Sequence, residues 1–299
     1  MPARPLNDVG RFHGTARFLW FVTMAFRSYI PGPPLGAFVE QFWLCSDAPA
    51  RPGGQILPKG TIEFVVNLSE NEIRVHDPAR PDRCRRHAGA VVCGAYGGSF
   101  VTDHARRASI VGVHFRPGGA FPFLGVPAGE LADTHVDLET LWGRSAAELR
   151  ERLCAANTPA ERFSLLERTL TARLNHMTGR HGSVPVALDA FERTGTTARV
   201  RDVARQVGLS QRRFIEVFAA EVGLTPKLYG RVRRFQRALA LVTGVATPDW
   251  ARVAPACGYF DQSHLIRDFR AFSSLTPEEY LDVRQRSAHA LHNHVLQTG

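Results

Sequence analysis

The sequence predicts an α+β protein of two domains, a β-rich sandwich or barrel with flanking helices followed by an all-α region. Three observations predict it. Residues up to about Phe115 carry short apolar runs densely broken by Gly and Pro; residues 145–176 carry two helix starts; beyond Ser183 one helical unit is present twice. At 299 residues and 44% hydrophobic the chain exceeds one average domain and can bury a full core.

Taken in order, residues 1–23 read as either an ill-ordered extension or an artefact of start-site choice, with a domain start at Met24. The apolar run Phe18–Phe26, between Arg17 and Arg27, is about half the length a bilayer span needs, and no small-residue cleavage site follows it. No membrane association is expected. Ile62, Phe64 and Val66 alternate after a Pro58-Lys59-Gly60 turn, and Ile110, Val111, Val113 and Phe115 form a second strand. Arg116-Pro117-Gly118-Gly119 reads as a tight turn before a helix over Phe121–Leu124, with a backbone anion nest as the alternative. Ser145 and Thr158 each precede a Glu by three residues, the signature of a capping box, and predict helices over about Ala146–Ala156 and Pro159–His176. Phe163, Leu166, Leu170 and Leu174 share one face of the second. Gly179–Ser183 marks a break, so the first domain spans 24–180 and the second 184–286, with a frayed tail over 287–299 that holds His289, His292 and His294.

The second domain is a repeat. Phe218, Leu224-Thr225-Pro226 and Tyr229 recur 51 residues later as Phe269, Leu275-Thr276-Pro277 and Tyr280. Upstream, Ala204 and Gly208 are echoed by Ala254 and Gly258 at an offset one shorter, because the second turn is longer by one residue. Val200, Val203, Ala204 and Val207 make the apolar face of a short helix that Gly208 ends, and Ser210 caps a second helix with Phe214, Val217 and Phe218 inward. The second unit repeats this with Trp250, Val253, Ala254 and Cys257, then Asp261 as cap and Leu265 and Phe269 inward. A small residue at the crossing, a Gly turn and a capped second helix make a helix-turn-helix.

Gln211, Arg212, Ile215 and Glu216 then face outward in the first unit, and Gln262, Ser263, His264 and Arg267 in the second. Arg and Gln are the side chains that read guanine and adenine edges in a major groove. The helix joining the units carries Arg231, Arg233, Arg234 and Arg237, which a helix spreads around its circumference, so about half of them could meet phosphate. The net charge is +9 and the pI 9.9, with nearly all the cations Arg; residues 183–286 hold 16 Lys and Arg against 11 Asp and Glu.

On these residues the region from about Pro185 to Arg286 resembles the DNA-binding domain of the AraC/XylS family. The tandem units, the stretch Gly258-Tyr259-Phe260-Asp261-Gln262-Ser263-His264 and the two Thr-Pro-x-x-Tyr closures carry the likeness. It implies a two-unit module joined by one long helix, with both recognition helices in successive major grooves of double-stranded DNA. The base readers it implies are Gln211, Arg212, Ile215 and Glu216, then Gln262, Ser263, His264 and Arg267. Phosphate contacts fall to Arg213, Arg231, Arg233, Arg234, Arg237 and Arg270. Three positions depart from the pattern: Pro255 inside a helix it should kink, Ser274 where the family has Gly, and Glu216 where it has a polar or basic residue.

Phe38-Val39, Trp43, Leu57-Pro58-Lys59-Gly60 and the stretch Val113–Pro127 resemble the β-rich domain that precedes this module in a group of uncharacterised bacterial regulators. That likeness implies a cupin-like sensing or dimerisation domain, with a small-molecule effector of unknown identity and pairing of two copies through this domain. The expected whole is a cytoplasmic transcription regulator, not an enzyme, without cofactor or metal. Its alternatives are a metal-dependent cupin-like enzyme fused to a DNA-targeting module, and a thiol sensor using Cys84 or Cys93. His76, Cys84, His87 and Cys93 match no zinc spacing, and the close His-x-His pair of metal cupins is missing at His104 and His114. The five cysteines are odd in number and scattered, as reduced thiols are.

Overall fold

The computed structural model describes residues 25–48, 51–77, 80–104, 108–174, 181–193, 199–286 and 295–297. The expected extension 1–23 and the three tail histidines lie outside them.

Among the described residues, ten strands build the first domain: β1 Ala25–Tyr29, β2 Val39–Ala48, β3 Arg51–Ile56, β4 Glu63–Asn67, β5 Glu72–Asp77, β6 Arg80–Ala88, β7 Ala90–Cys93, β8 Phe100–His104, β9 Ala108–Phe115 and β10 His135–Asp137. They form two antiparallel sheets. One has the order β1-β2-β9-β4-β7-β10; the other is β3-β8-β5-β6, extended at its β3 edge by β11, Val295–Gln297. The tail therefore returns to the first domain and pairs Val295 with Ile56, where a frayed end was expected.

Helices α1 Phe121–Leu124, α2 Leu138–Trp142, α3 Arg144–Ala155 and α4 Pro159–Leu174 flank the larger sheet. The alternation read around Phe64 decides how. Phe64, Val66, Val111 and Val113 meet Leu138, Trp142, Leu149, Leu166 and Leu170 in one apolar layer, with Phe64 edge-on to Trp142 at 5.1 Å. The main core thus lies between sheet and helices. Between the two sheets the buried apolar cluster among the described residues is Val75, Cys93 and Phe100, with Ile56, Ile73 and Tyr96 packed against it. Directly opposed residues of neighbouring strands share a face, so the register His135–Cys93–Glu63–His114 lays a polar row across four strands of the larger sheet.

Of the two capping boxes, Thr158 forms one: its hydroxyl accepts from the Glu161 amide at 3.2 Å and its own amide donates to the Glu161 carboxylate. Ser145 does not. The helix there starts at Arg144, behind Gly143 at φ 57°, and Ser145 Oγ donates instead to the Trp142 carbonyl. Burial of Trp142, whose indole N–H donates to the Phe123 carbonyl at 2.8 Å, sets the chain direction at this corner and overrides the local signal. Arg116–Gly119 is the expected turn, closed by the Gly119 amide on the Arg116 carbonyl.

The second domain comprises α5 Ser183–Arg193, α6 Val200–Gln206, α7 Gln211–Val222, α8 Pro226–Leu241, α9 Trp250–Ala256, α10 Gln262–Ser273 and α11 Pro277–Arg286. The break read at Gly179–Ser183 does not separate two independent bodies, for one hydrophobic cluster runs through both. Glycines and alanines let the backbones approach. A Cβ on Gly60, at φ 74°, would sit 3.3 Å from the Tyr229 ring; one on Gly97 would meet Leu228, one on Gly129 the Ala219 carbonyl, and one on Gly223 the Ala95 methyl. Side-chain hydrogen bonds cross the seam: Gln236 Nε2 donates to the Pro58 carbonyl at 2.6 Å, and buried Gln55 Nε2 to the Ser273 carbonyl at 2.8 Å.

Candidate nucleic-acid interface

The repeat in the sequence is a repeat in backbone geometry. In the first unit Gly208 stands at φ 71° after α6 and the Leu209 amide donates back to the Ala204 carbonyl at 3.0 Å; in the second, Gly258 stands at φ 80° after α9 and the Tyr259 amide donates to the Ala254 carbonyl at 3.0 Å. Both are the C-terminal closure that a left-handed glycine permits. The residue by which the second turn is longer is Phe260, whose side chain is 91% exposed. Pro255 falls in the last turn of α9, and the helix runs one residue past it.

Each recognition helix is then capped as read. Ser210 Oγ accepts from the Arg213 amide at 3.2 Å at the start of α7, and Asp261 Oδ1 from the His264 amide at 2.7 Å at the start of α10. Thr225 caps α8 with Pro226 in its first turn, Thr276 and Glu279 form a full capping box on α11, and Asp249 caps α9. The helix ends differ at one position. Gly223 closes α7 at φ 92°, whereas Ser274, 51 residues on, closes α10 at φ 61°. A side chain in that left-handed region costs about 1–2 kcal/mol, while Gly gives some of this back by loosening the unfolded chain. Ser274→Gly should therefore stabilise the protein by about 0.5–1 kcal/mol in urea denaturation; an unchanged or lower midpoint would contradict the strain.

On α7, Gln211, Arg212, Arg213 and Glu216 are exposed and Ile215 half-buried. Glu216 is not an isolated anion: Arg212 Nε lies 3.1 Å from one carboxylate oxygen and Arg213 Nη1 3.5 Å from the other. The hydrogen bond from Arg212 first, and then Arg213, hold its carboxyl below the usual range. On α10, Ser263, Arg267 and Arg270 are exposed, Gln262 and His264 half-buried, and the His264 ring stands edge-on to Tyr259 at 5.2 Å.

The linker arginines divide unequally. Arg231 donates through Nε and Nη2 to Asp268 at 3.1 and 2.8 Å, and Arg234, 15% exposed, faces the same carboxylate at 4.0 Å. Arg233 pairs with Glu192 of α5 at 2.6 Å, and Arg237 is exposed. Two of the four linker arginines thus lie against Asp268, because an anion 2% exposed is stable only with its counter-ions beside it. Asp268 itself was missed. Its signal was there: with Leu265, Phe269 and Phe272 it occupies the i, i+3, i+4, i+7 stripe of the buried face.

Among the described residues of the first domain, those weighed as metal ligands gather into no group of three that could hold a metal, although His76 and Cys84 are opposed across β5 and β6. His76 Nε2 meets Asp103 at 3.0 Å, Cys84 is exposed, His87 Nδ1 meets Asp137 at 3.3 Å, and Cys93 is buried with its thiol pushed well up, chiefly by burial. His114 lies against Thr61 and Glu63. No helix among the described residues is long and apolar enough to cross a membrane.

A domain of unknown function, DUF6597, matches residues 27–137, and a helix-turn-helix domain matches residues 203–282. No curated protein sequence matches the chain. Among solved structures, ToxT from Vibrio cholerae O395 is 9% identical over 81% of this chain and 97% of its own, with a TM-score of 0.46. The same protein bound to (E)-4-(8-methylnaphthalen-1-yl)but-3-enoic acid is 8% identical over 86% and 98%, at 0.46. A transcriptional regulator of Chromobacterium violaceum, described as an AraC-type DNA-binding domain-containing protein, is 21% identical over 37% and 95%, at 0.31.

Proposed function

We propose that this chain, which carries an AraC-type helix-turn-helix domain behind a β-rich domain, is a cytoplasmic, sequence-specific DNA-binding transcription regulator that reads two successive major grooves. The observation that carries the reading is the duplicated, capped recognition helix: α7 and α10 follow the same turn and each presents Arg, Gln or Ser outward. Gln211, Arg212, Ile215 and Glu216 are assigned to bases in one groove, and Gln262, Ser263, His264 and Arg267 in the next. Arg213, Arg237 and Arg270 are the phosphate contacts, with Arg233 at the margin; Arg231 and Arg234 serve the fold. We divide the chain into a sensing domain over 24–180 and a DNA-binding domain over 184–286. Modulation by a small molecule at the sensing domain is supported by its seam with α7, α8 and the end of α10, through which a shift in one domain reaches the other.

Selection of bound sequences from random duplex DNA by the full chain, at two salt concentrations, tests this. Two half-sites about one helical turn apart, bound more weakly at the higher salt because release of condensed counterions is then less favourable, are the expected result. Absence of any enriched sequence would refute it. Within the selected site, Arg267→Ala should cost about 1–3 kcal/mol and relax preference at a single position. An equal loss on every sequence would place Arg267 on phosphate alone.

A further inference from the structure

The linker helix α8 is fastened to each unit by a different ion pair. On one side Arg233 reaches Glu192 of α5; on the other, Arg231 and Arg234 converge on Asp268 of α10. The second fastening is the buried one. Asp268 is 2% exposed, Arg231 34% and Arg234 15%, and aromatic rings of the second unit confine both guanidinium groups: Phe272 lies 5.1 Å from Arg231, and Tyr259 5.4 Å from Arg234.

α8 and α10 also meet through apolar rings. Phe235 packs on Phe269 and Phe272 at 5.0 and 5.2 Å. A helix can ratchet along its neighbour by one turn, about 5.4 Å, and still keep apolar faces in contact. That slip is larger than one base-pair step of about 3.4 Å. The buried ion pair permits no such slip, because Arg231 Nε and Nη2 both donate to Asp268 Oδ1 while Arg234 faces Oδ2, and a shift of one turn would leave the buried carboxylate without its counter-ions.

We infer that Asp268 is a positioning residue that fixes α10 against the linker and thereby sets the half-site spacing the protein accepts. It touches no base. Its place one residue after Arg267, about 100° around the same helix on the buried face, makes the rotation of the base-reading face a consequence of the ion pair. The inference rests on the DNA-binding reading above and sharpens it.

The test uses the full chain carrying Asp268→Asn, with Arg231→Gln as the second variant, on duplexes bearing the selected site at its native spacing and at one base pair more or fewer. A duplex with a single half-site serves as reference. Asp268→Asn should weaken binding at the native spacing about ten-fold while leaving the single half-site unchanged, so that preference among spacings collapses. Arg231→Gln should do the same. Retained spacing preference would overturn the inference, and so would an equal loss on all duplexes, the single half-site included. Unfolding of both variants, read by thermal melting, would also overturn it, since the pair would then hold the fold and not the spacing. If the wild-type chain selects no two-part site, it is the DNA-binding reading that fails.

Discussion

Phe269→Ala should destabilise the second helical unit by about 3–5 kcal/mol and reduce the selected DNA site to one half. Phe269 is fully buried, with ring centroids at 5.0 Å from Phe235, 5.5 Å from Trp250 and 5.7 Å from Tyr280, so truncation opens a cavity whose walls come from four helices. Those edge-to-face partners add to the loss from area alone. In the first unit Phe218 meets Tyr229, Phe191 and Phe214, away from the Phe269 cavity, and this unit is also held by the sheet domain at Gly60, Gly97 and Gly129. Urea unfolding should therefore split, the second unit melting first. A single unchanged transition with both half-sites still selected would refute the assignment of Phe269 as the centre of a separable unit.

The same pairs show why this part of the molecule was legible. Phe218 and Tyr229 lie 5.5 Å apart, and Phe269 and Tyr280, their equivalents 51 residues on, 5.7 Å apart. A helical core imposes period and spacing on side chains, and a duplicated core imposes them twice, so both recognition helices and their caps could be read from letters alone. The strand around Phe64 was legible for the same reason. The seam between domains was not, because it is made of what leaves no pattern: glycines at Gly60 and Gly97, and the carbonyls of Pro58 and Ser273 as acceptors. Nor was the sharing of the linker arginines, since the charge of Arg231 and Arg234 said nothing of the carboxylate 37 and 34 residues downstream. Ser145 misled because a cap is decided by where the preceding Trp142 must be buried.

Acidification should weaken the first domain through His135. The imidazole is 8% exposed between the sheets, where its Nδ1 meets the Tyr96 hydroxyl at 2.7 Å and its ring faces Phe100 at 4.8 Å and His87 at 5.8 Å. Burial first, then the neighbouring His87, lower its pKa to about 4, with Glu63 opposing. An unfolded His titrates near 6.5. Between those values the unfolded chain binds the proton and the folded chain refuses it, so stability is full above about pH 6.5 and is lost as pH falls through about 4. At about 1.4 kcal/mol per pH unit the loss is on the order of 3 kcal/mol. His135→Asn keeps an acceptor for the Tyr96 hydroxyl and cannot titrate, so its stability should fall less steeply than that of the wild type in this window, where the carboxylates common to both chains contribute equally. Stability profiles that run parallel from pH 7 to 4 would mean that His135 takes up its proton in the folded state as easily as in the unfolded one.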